Sequence, residues 1–423
     1  MNMFKKISLI SILLLSCSAQ KGAKLPPPPQ RIIPEAGICQ NPKAGKNIRI
    51  TKTMADSYNP EIIFTGRDIL ISWIDGFGRF PAIKTVRIDK NGIPRSIAKV
   101  LPHKATCKDQ KFAVDENSVY GGWIEESKAV TADIGKPDVK TVSRGSEVDS
   151  VAVGPYGALV FTDHGKLYFR CDGMLPLPNR KGVIVEPEPL LVSTGGIESP
   201  AIAWTGEFFA IVWSESVSKG RRIVLQRVTN NGNLFGPKVA VSRTSGISKS
   251  PQITFNEKEF AIAWTTSFTN EMEDNDRYKV FFAIVKKDGI SPLLTRQLDF
   301  KGSAEQVSLA TSGKEYALAW VGSKKPAGSA VYFKRIDEKG KSLSETIKVT
   351  DDEPAACGKP SIAWTENGYG ITWDDSRFFE GLEIFFSFME CNNTDTADLE
   401  DNIEPDTASD SENSNQNELK EIF

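Results

Sequence analysis

Along this chain of 423 residues, apolar runs end in an aromatic residue and acids follow it: Asp75, Glu125, Glu126, Asp163, Glu215, Asp374 and Asp375. Basic residues stand close behind, at Arg79, Lys219, Arg221, Lys324, Lys325 and Arg377. Brought to one surface, such a set could bind a glycan, a peptide or a cation. Two converging carboxylates could also serve as acid and base on a glycosidic bond. Spacing in sequence does not bring them together, and strand ends that meet water take charged residues in any case. In Asp374-Asp375-Ser376-Arg377 the plainest role for Arg377 is to pair with one aspartate and fix the turn.

A second acidic group, Glu271, Glu273, Asp274 and Asp276, lies in the stretch Thr269–Tyr278. Closely spaced carboxylates suit calcium, which takes six to eight oxygen ligands. Asp276 occupies the place of the glycine of an EF-hand loop, so a solvated acidic loop is the plainer expectation and no cofactor is assigned. His103 and His164 are the only histidines, which leaves imidazole metal sites and catalytic triads poorly supplied. No nucleophile elbow, P-loop, zinc spacing or dinucleotide fingerprint occurs. A formal net charge of -2 speaks against a nucleic-acid partner.

The elements that must position these acids repeat. "NPEIIFTGRDILISWID" from Asn59 has counterparts from Lys111, Val148, Ser199, Ser250, Glu305 and Lys359. Aligning the strand-ending aromatic gives Trp73, Trp123, Phe161, Trp213, Trp264, Trp320 and Trp373, about fifty residues apart except for a shorter step to Phe161. Each copy reads as a short apolar strand, a turn such as "TGRD" or "TGEF", and a second apolar strand ending at the aromatic. A third strand such as "RRIVLQRVT" and a fourth such as "PKVAVSR" follow, with charge or alternation on the outer pair. Inner strands apolar on both faces lie between neighbouring sheets, which describes a β-propeller blade.

The last copy has three strands and stops at Cys391, while "NIRITKT" (Asn47–Thr53) before the first copy looks like a missing fourth strand. The expectation is an all-β, seven-bladed β-propeller of four-stranded blades over residues 47–391, closed by the N-terminal strand completing the last blade. The repeats resemble those of predicted β-propeller lipoproteins of bacteria, on the shared order Pro, apolar strand, Gly turn, apolar strand, Trp. Only Trp373 is followed by aspartate, so the pattern is not that of WD repeats. The sialidase Asp-box is half matched by Gly370, Thr372 and Trp373, with Gly368 where its aspartate belongs, and its activity is not carried over.

The N-terminus sets the compartment. A basic start, an apolar run from Ile7 to Ser16 and the sequence Leu14-Leu15-Ser16-Cys17 resemble a bacterial lipoprotein signal peptide with its lipobox. The resemblance implies removal of residues 1–16 and acylation (palmitate among the chains) of Cys17, a membrane anchor firmer than a single chain gives. Ser18 in place of aspartate implies sorting to the outer membrane. Residues 17–46 then form an anchor and a stiff proline-rich tether, "KLPPPPQ". Residues 392–423, with ten acids against Lys420 alone, read as a disordered acidic tail.

Export permits disulfides, and five cysteines remain besides Cys17. Cys391 ends the third strand of the last repeat and Cys39 precedes the strand expected beside it, so a bond between them would clamp the closure. Cys107 and Cys357 each precede an innermost strand and form the second candidate pair, which leaves Cys171 as the free thiol. The expected function is a non-enzymatic binding or scaffolding lipoprotein of the outer membrane, holding an envelope protein or glycan on the face that carries Asp75, Asp163, Glu215, Asp374, Asp375 and Arg377. The alternative is a carboxylate-dependent polysaccharide hydrolase or lyase on the same face, and no catalytic residue is assigned.

Overall fold

The computed structural model describes residues 35–392 except 78, 115–118, 135–138, 146, 153–156, 172–173, 175–176, 179–183, 186–187, 243–245, 269–276, 325–326, 352–356 and 379–380. The expected signal peptide, Cys17, residues 18–34 of the expected tether and residues 393–423 of the expected acidic tail lie outside the described residues, whereas residues 35–46, expected as tether, are described and pack on the last unit. So do Glu271, Glu273, Asp274 and Asp276 of the calcium candidate. The described secondary structure is all β, with no helix among the described residues.

Each sequence repeat supplies one small antiparallel unit whose strands pair in chain order. The copy from Ser199 shows the logic: Ile197–Trp204, Phe208–Val217, Gly220–Thr229 and Leu234–Ala240. Its second strand begins FFAIVWSE, eight successive buried residues, because both faces of the sheet are covered there. Its fourth strand, LFGPKVA, is largely exposed and carries the polar residues. A two-strand hairpin, Leu177–Pro178 with Ile184–Val185, interrupts the third unit ahead of its last strand.

The turn between first and second strands is dictated locally. Thr65, Thr205, Asn256, Ser312 and Thr365 each donate their backbone N–H across the turn to the carbonyl three residues on. The next residue lies in the left-handed region in every case: Gly66, Gly206, Glu257, Gly313 and Glu366. Glycine adopts it without a Cβ clash, and a first central glycine is the signature of a tight hairpin turn.

The core is divided among the interfaces between successive units. Trp264 packs between the units from Ser199 and Ser250, Trp320 between those from Ser250 and Glu305, and Trp373 between those from Glu305 and Lys359. Trp213, Trp123 and Phe161 occupy the earlier interfaces in the same way. The last unit returns to the first: Ile62, Ile69, Ile71 and Trp73 pack on Ile384, Phe386 and Phe388. The aligned aromatics are thus packing residues, each buried with an exposure of 3 % or less. Their first strands follow the same cycle, each beside the next, with Ser361–Trp364 beside Ser57–Phe64.

The N-terminal segment joins the last unit, as the repeat arithmetic predicts. It does so in two short pieces: Lys43–Ala44 pairs with Glu390 and Met389, and Ile48–Arg49 with Phe386 and Phe385. Between them Gly45 donates its N–H to the Phe388 carbonyl at 2.9 Å, where a Cβ would sit 2.8 Å from that oxygen. The buried carboxylate of Glu383 accepts from Arg49 at 2.9 Å, from the Thr53 amide at 2.9 Å and from Thr51. A disulfide joins Cys39 to Cys391. The second expected pair is absent: Cys107 and Cys357 are thiols, as is Cys171. Cys107 donates to the Ala105 carbonyl, and Cys357 to Ser329 and Asp375, so each is engaged within its own neighbourhood.

Candidate functional site

The acids singled out in sequence stand where the second strands end, and most are held by a neighbour within their own unit. Buried Asp75 pairs with Lys84 at 2.8 Å and accepts the Phe77 amide at 3.0 Å. Asp163, at the end of Ala158–Asp163, lies 2.8 Å from His164. Glu125 accepts the Lys104 amide at 2.7 Å. Glu215 takes Arg222 at 2.8 Å and Lys238 at 2.5 Å. Burial opposes the Glu215 charge, yet those two cations hold its carboxyl below the usual carboxylate range.

Asp374 and Asp375 diverge, as successive strand residues must. Asp375 accepts from the Arg377 amide at 2.9 Å, from its guanidinium at 2.6 Å and from the Trp373 indole at 3.1 Å. Arg377 also pairs with Asp351 and lies 4.4 Å above the Phe385 ring. Arg377 therefore fixes the turn through Asp375 while tying in the segment at Asp351. Asp374 faces the other way and accepts the Asn59 amide of the first unit at 2.9 Å. Burial pushes the Asp374 carboxyl upward, against the pull of the Asn59 amide and Lys359. Gly358 is required beside it, since a Cβ there would meet Asp374 Oδ1 at 1.6 Å.

On the same side, Phe77, Phe80 and Phe378 are exposed in loops that follow second strands. Arg79 lies over Phe80 at 5.2 Å and Arg49 over Phe378 at 4.5 Å, contacts that keep the rings accompanied by cations. Exposed Asp56 links the two loops: its carbonyl accepts Gly76 N–H and its carboxylate accepts Leu382 N–H.

A site that the acids did not predict lies where the first strands meet. Five of these strands carry a register shift near their start, between Tyr58 and Glu61, Lys108 and Lys111, Glu198 and Ala201, Lys249 and Gln252, and Glu305 and Ser308. At the shift Asn59, Asp109, Ser199, Ser250 and Gln306 all have φ between 50° and 55°. Such bulges re-aim side chains away from the regular pleat. Here they surround a cavity of about 230 Å³ lined by Lys111, Ser199, Ser250, Gln252, Gln306 and Lys359, with prolines between them.

Beside that cavity, Lys111 and Lys359 both reach Glu61 Oε1, Lys359 at 3.3 Å. Ser361 donates to the other Glu61 oxygen at 3.3 Å. Burial opposes the charge on Glu61, and the two ammonium groups overcome it and hold its carboxyl below the ordinary range. Lys111 is pushed down to about 8 by burial, with the charge of Lys359 acting in the same direction and Glu61 opposing. The signal in the sequence was the alignment of the copies themselves. At the position of Glu61 and Lys111 the other described copies carry Ala201, Gln252, Ser308 and Ser361, so charge there is particular to adjacent units.

No protein-family model matches the chain, and no curated protein matches it in sequence. Solved structures do match. A protein of unknown function from Dyadobacter fermentans aligns with a TM-score of 0.51 at 10% identity, over 83% of this chain and 99% of that one. The hydrazine synthase of Kuenenia stuttgartiensis aligns with a TM-score of 0.52 at 12% identity, over 80% and 98%. Raptor from Chaetomium thermophilum gives 0.50 at 12% identity, over 84% of this chain and 29% of that one. At this identity the likeness is one of fold alone, and the fold is of the propeller type.

Proposed function

We propose that this chain is a bacterial outer-membrane lipoprotein, lipidated at Cys17, whose residues 47–391 form a seven-bladed β-propeller that binds an envelope protein or glycan without transforming it. The cyclic packing of units and the N-terminal strands on the last sheet support the closed seven-bladed reading. The described start of the chain, at Glu35 to Gly37, and the loops sit at opposite ends of the strands. Trp364 donates its indole N–H to the Glu35 carbonyl at 2.9 Å and Gly37 bridges Gly313, so the chain enters at the turns between first and second strands. Asn392 leaves beside it, donating to the Gln40 carbonyl. A tether attached there presents the loop face away from the membrane.

One observation carries the non-enzymatic reading: the carboxylates of the loop face act as struts. Asp75, Glu215 and Asp375 each hold a cation of their own unit, and Asp374 holds a backbone amide. Acid–base work on a polysaccharide calls for two carboxylates facing one bond with pKa values pushed apart. The test is to incubate the purified chain with envelope polysaccharide and follow chain length by size-exclusion chromatography. Length stays unchanged on this reading; progressive shortening would establish the hydrolase or lyase instead.

A further inference from the structure

We propose that the seam between the units from Ser199 and Ser250 is the docking site of the acidic C-terminal segment, residues 393–423, held there by Arg227. The repeat itself points to the missing group. Three residues before the aligned tryptophan, Leu70, Ala210 and Ala317 stand opposite Arg87, Arg227 and Arg335 on the third strand. Arg87 pairs with Asp68 at 2.7 Å and Arg335 with Glu315 at 2.5 Å, and both acids lie two residues after the turn glycine. In the unit from Ser199 that position is Phe208, so Arg227 lacks the partner its counterparts keep.

Among the described residues the Arg227 guanidinium makes no hydrogen bond and no ion pair, and its Nε is buried without an acceptor. It lies between rings, 4.6 Å from Phe235 and 5.7 Å from Phe208, and against Gly236 and Gly289, where a Cβ would meet it at 2.1 Å and 3.0 Å. Burial opposes its charge, and Asp288 supports that charge from a distance while accepting the Ile290 amide at 3.2 Å. The neighbouring cation, Lys287, is paired with Glu207 at 3.1 Å. An unserved guanidinium is costly to bury, and its planar fork suits a carboxylate. Exposed apolar side chains border it. Ile290 follows Gly289, and Leu293 points opposite to Leu294, which lies on Gly340 of the next unit.

The acidic segment fits this seam in charge, composition and reach. It carries ten acids against Lys420 alone, and acids adjoin apolar residues at Asp398-Leu399-Glu400, Ile403-Glu404 and Glu421-Ile422. One unserved cation among apolar side chains matches such a segment better than a lipid surface, which is held by clusters of basic residues. Asn392 leaves the fold at the turn end of the strands, and Arg227 stands at that end, two residues before Thr229 closes its turn with Asn233. Extended, residues 393–423 span roughly 100 Å, about twice the breadth expected of a folded body this size. Attachment to the same chain raises the effective concentration, so a weak pair suffices. Docking there goes beyond the loop-face reading and keeps the charge of the segment away from that face.

The experiment is thermolysin digestion of the full chain followed by intact mass, with cleavage before Leu399, Ile403 and Leu419 as the readout. It compares the parent with Arg227→Met and with Phe208→Glu, which supplies the internal acid of the other units. Circular dichroism checks that both fold. Arg227→Met is also made in a chain whose ten tail acids are replaced by their amides, a change outside the described fold. Cleavage of the segment about fivefold faster than in the parent is expected in both variants, the effect of losing one partly exposed ion pair. In the amide background Arg227→Met should change nothing. Arg227→Met cut no faster than the parent overturns the site, and an equal acceleration in the amide background overturns the charge pairing. Protection of the parent that rises with protein concentration places the segment on a second copy and overturns docking within one chain. Should Phe208→Glu fail to fold, the Arg227→Met comparison in the two backgrounds still decides.

Discussion

Cys39 and Cys391 are bonded across 352 residues of sequence, and the bond ties the N-terminal segment to the sheet that the C-terminal repeat leaves incomplete. The strand pairing of that segment is short, Lys43–Ala44 and Ile48–Arg49, and the contacts of Gly45 with Phe388 and of Glu383 with Arg49, Thr51 and Thr53 supplement it. A covalent link over so long a loop removes much of the entropy of the unfolded chain, up to about 5 kcal/mol on the chain-entropy account. Replacing both cysteines by serine should lower the denaturant midpoint by a matching amount. Reductant should reproduce the loss in the parent and leave the variant unchanged. A midpoint insensitive to reductant would mean that the closing strand holds without the bond.

Two turn positions are occupied by a residue that the backbone disfavours. Glu257 and Glu366 have φ of 77° and 72°, where the corresponding turns of other repeats have Gly66, Gly206 and Gly313. An L-residue in this region costs roughly 1–2 kcal/mol, offset in part by the roughly 0.5–1 kcal/mol that glycine's extra freedom in the unfolded chain costs. Glu257→Gly and Glu366→Gly should each therefore stabilise the fold by up to about 1 kcal/mol in equilibrium unfolding. Destabilisation by either would show that its carboxylate makes a contact worth more than the strain.

Arg377 and Asp375 form a pair with side-chain exposures of 3% and 0%. Arg377→Met should destabilise the protein by about 3–5 kcal/mol, the cost of leaving a buried charge without its partner. Adding Asp375→Asn to that variant should recover part of the loss in a double-mutant cycle. Equal losses in single and double variants would place the effect in the packing of Arg377 on Phe385 rather than in the ion pair.

Much of this fold is legible in the sequence because its code is local. The apolar second strands, the Thr-Gly turns and the recurring aromatic each reflect a requirement met within a dozen residues, and the odd strand before the first repeat exposes the closure. The Cys39–Cys391 bond follows from that closure. The cavity cluster is not legible in the same way: Glu61 and Lys359 meet across 298 residues, and each looks like an ordinary polar residue next to a proline. Their convergence depends on the ring bringing first strands together and on bulges that re-aim them, neither of which has a residue signature beyond the proline. The acids after the aromatic were visible, but their partners Lys84, Arg222 and Lys238 come from neighbouring strands, so their role as struts was hidden.

The charge state of the cavity gives a pH dependence with a defined sign. Lys111 titrates near 8 rather than its ordinary 10.5, with burial and Lys359 lowering it and Glu61 opposing. A lysine that binds fewer protons folded than unfolded adds to the unfolding free energy between about 8 and 10.5, so stability should rise over that range in the parent and not in Lys111→Met. At the acid end Glu61, held below its ordinary range, contributes stability that is lost as pH falls through its depressed pKa. An unfolding free energy with the same pH dependence in Lys111→Met as in the parent from pH 8 to pH 10 would contradict this arrangement.

The central claim, a binding face carried away from the membrane, is tested most directly in the envelope itself. Co-purification from crosslinked envelopes would compare the anchored parent, a Phe77→Ser/Phe378→Ser variant of the loop face, and a Lys314→Glu variant of the opposite turns. The account predicts that one specific protein or glycan is retained by the parent and by Lys314→Glu, and lost from the loop-face variant. Retention unaffected by the loop-face change, or lost on Lys314→Glu instead, would contradict it.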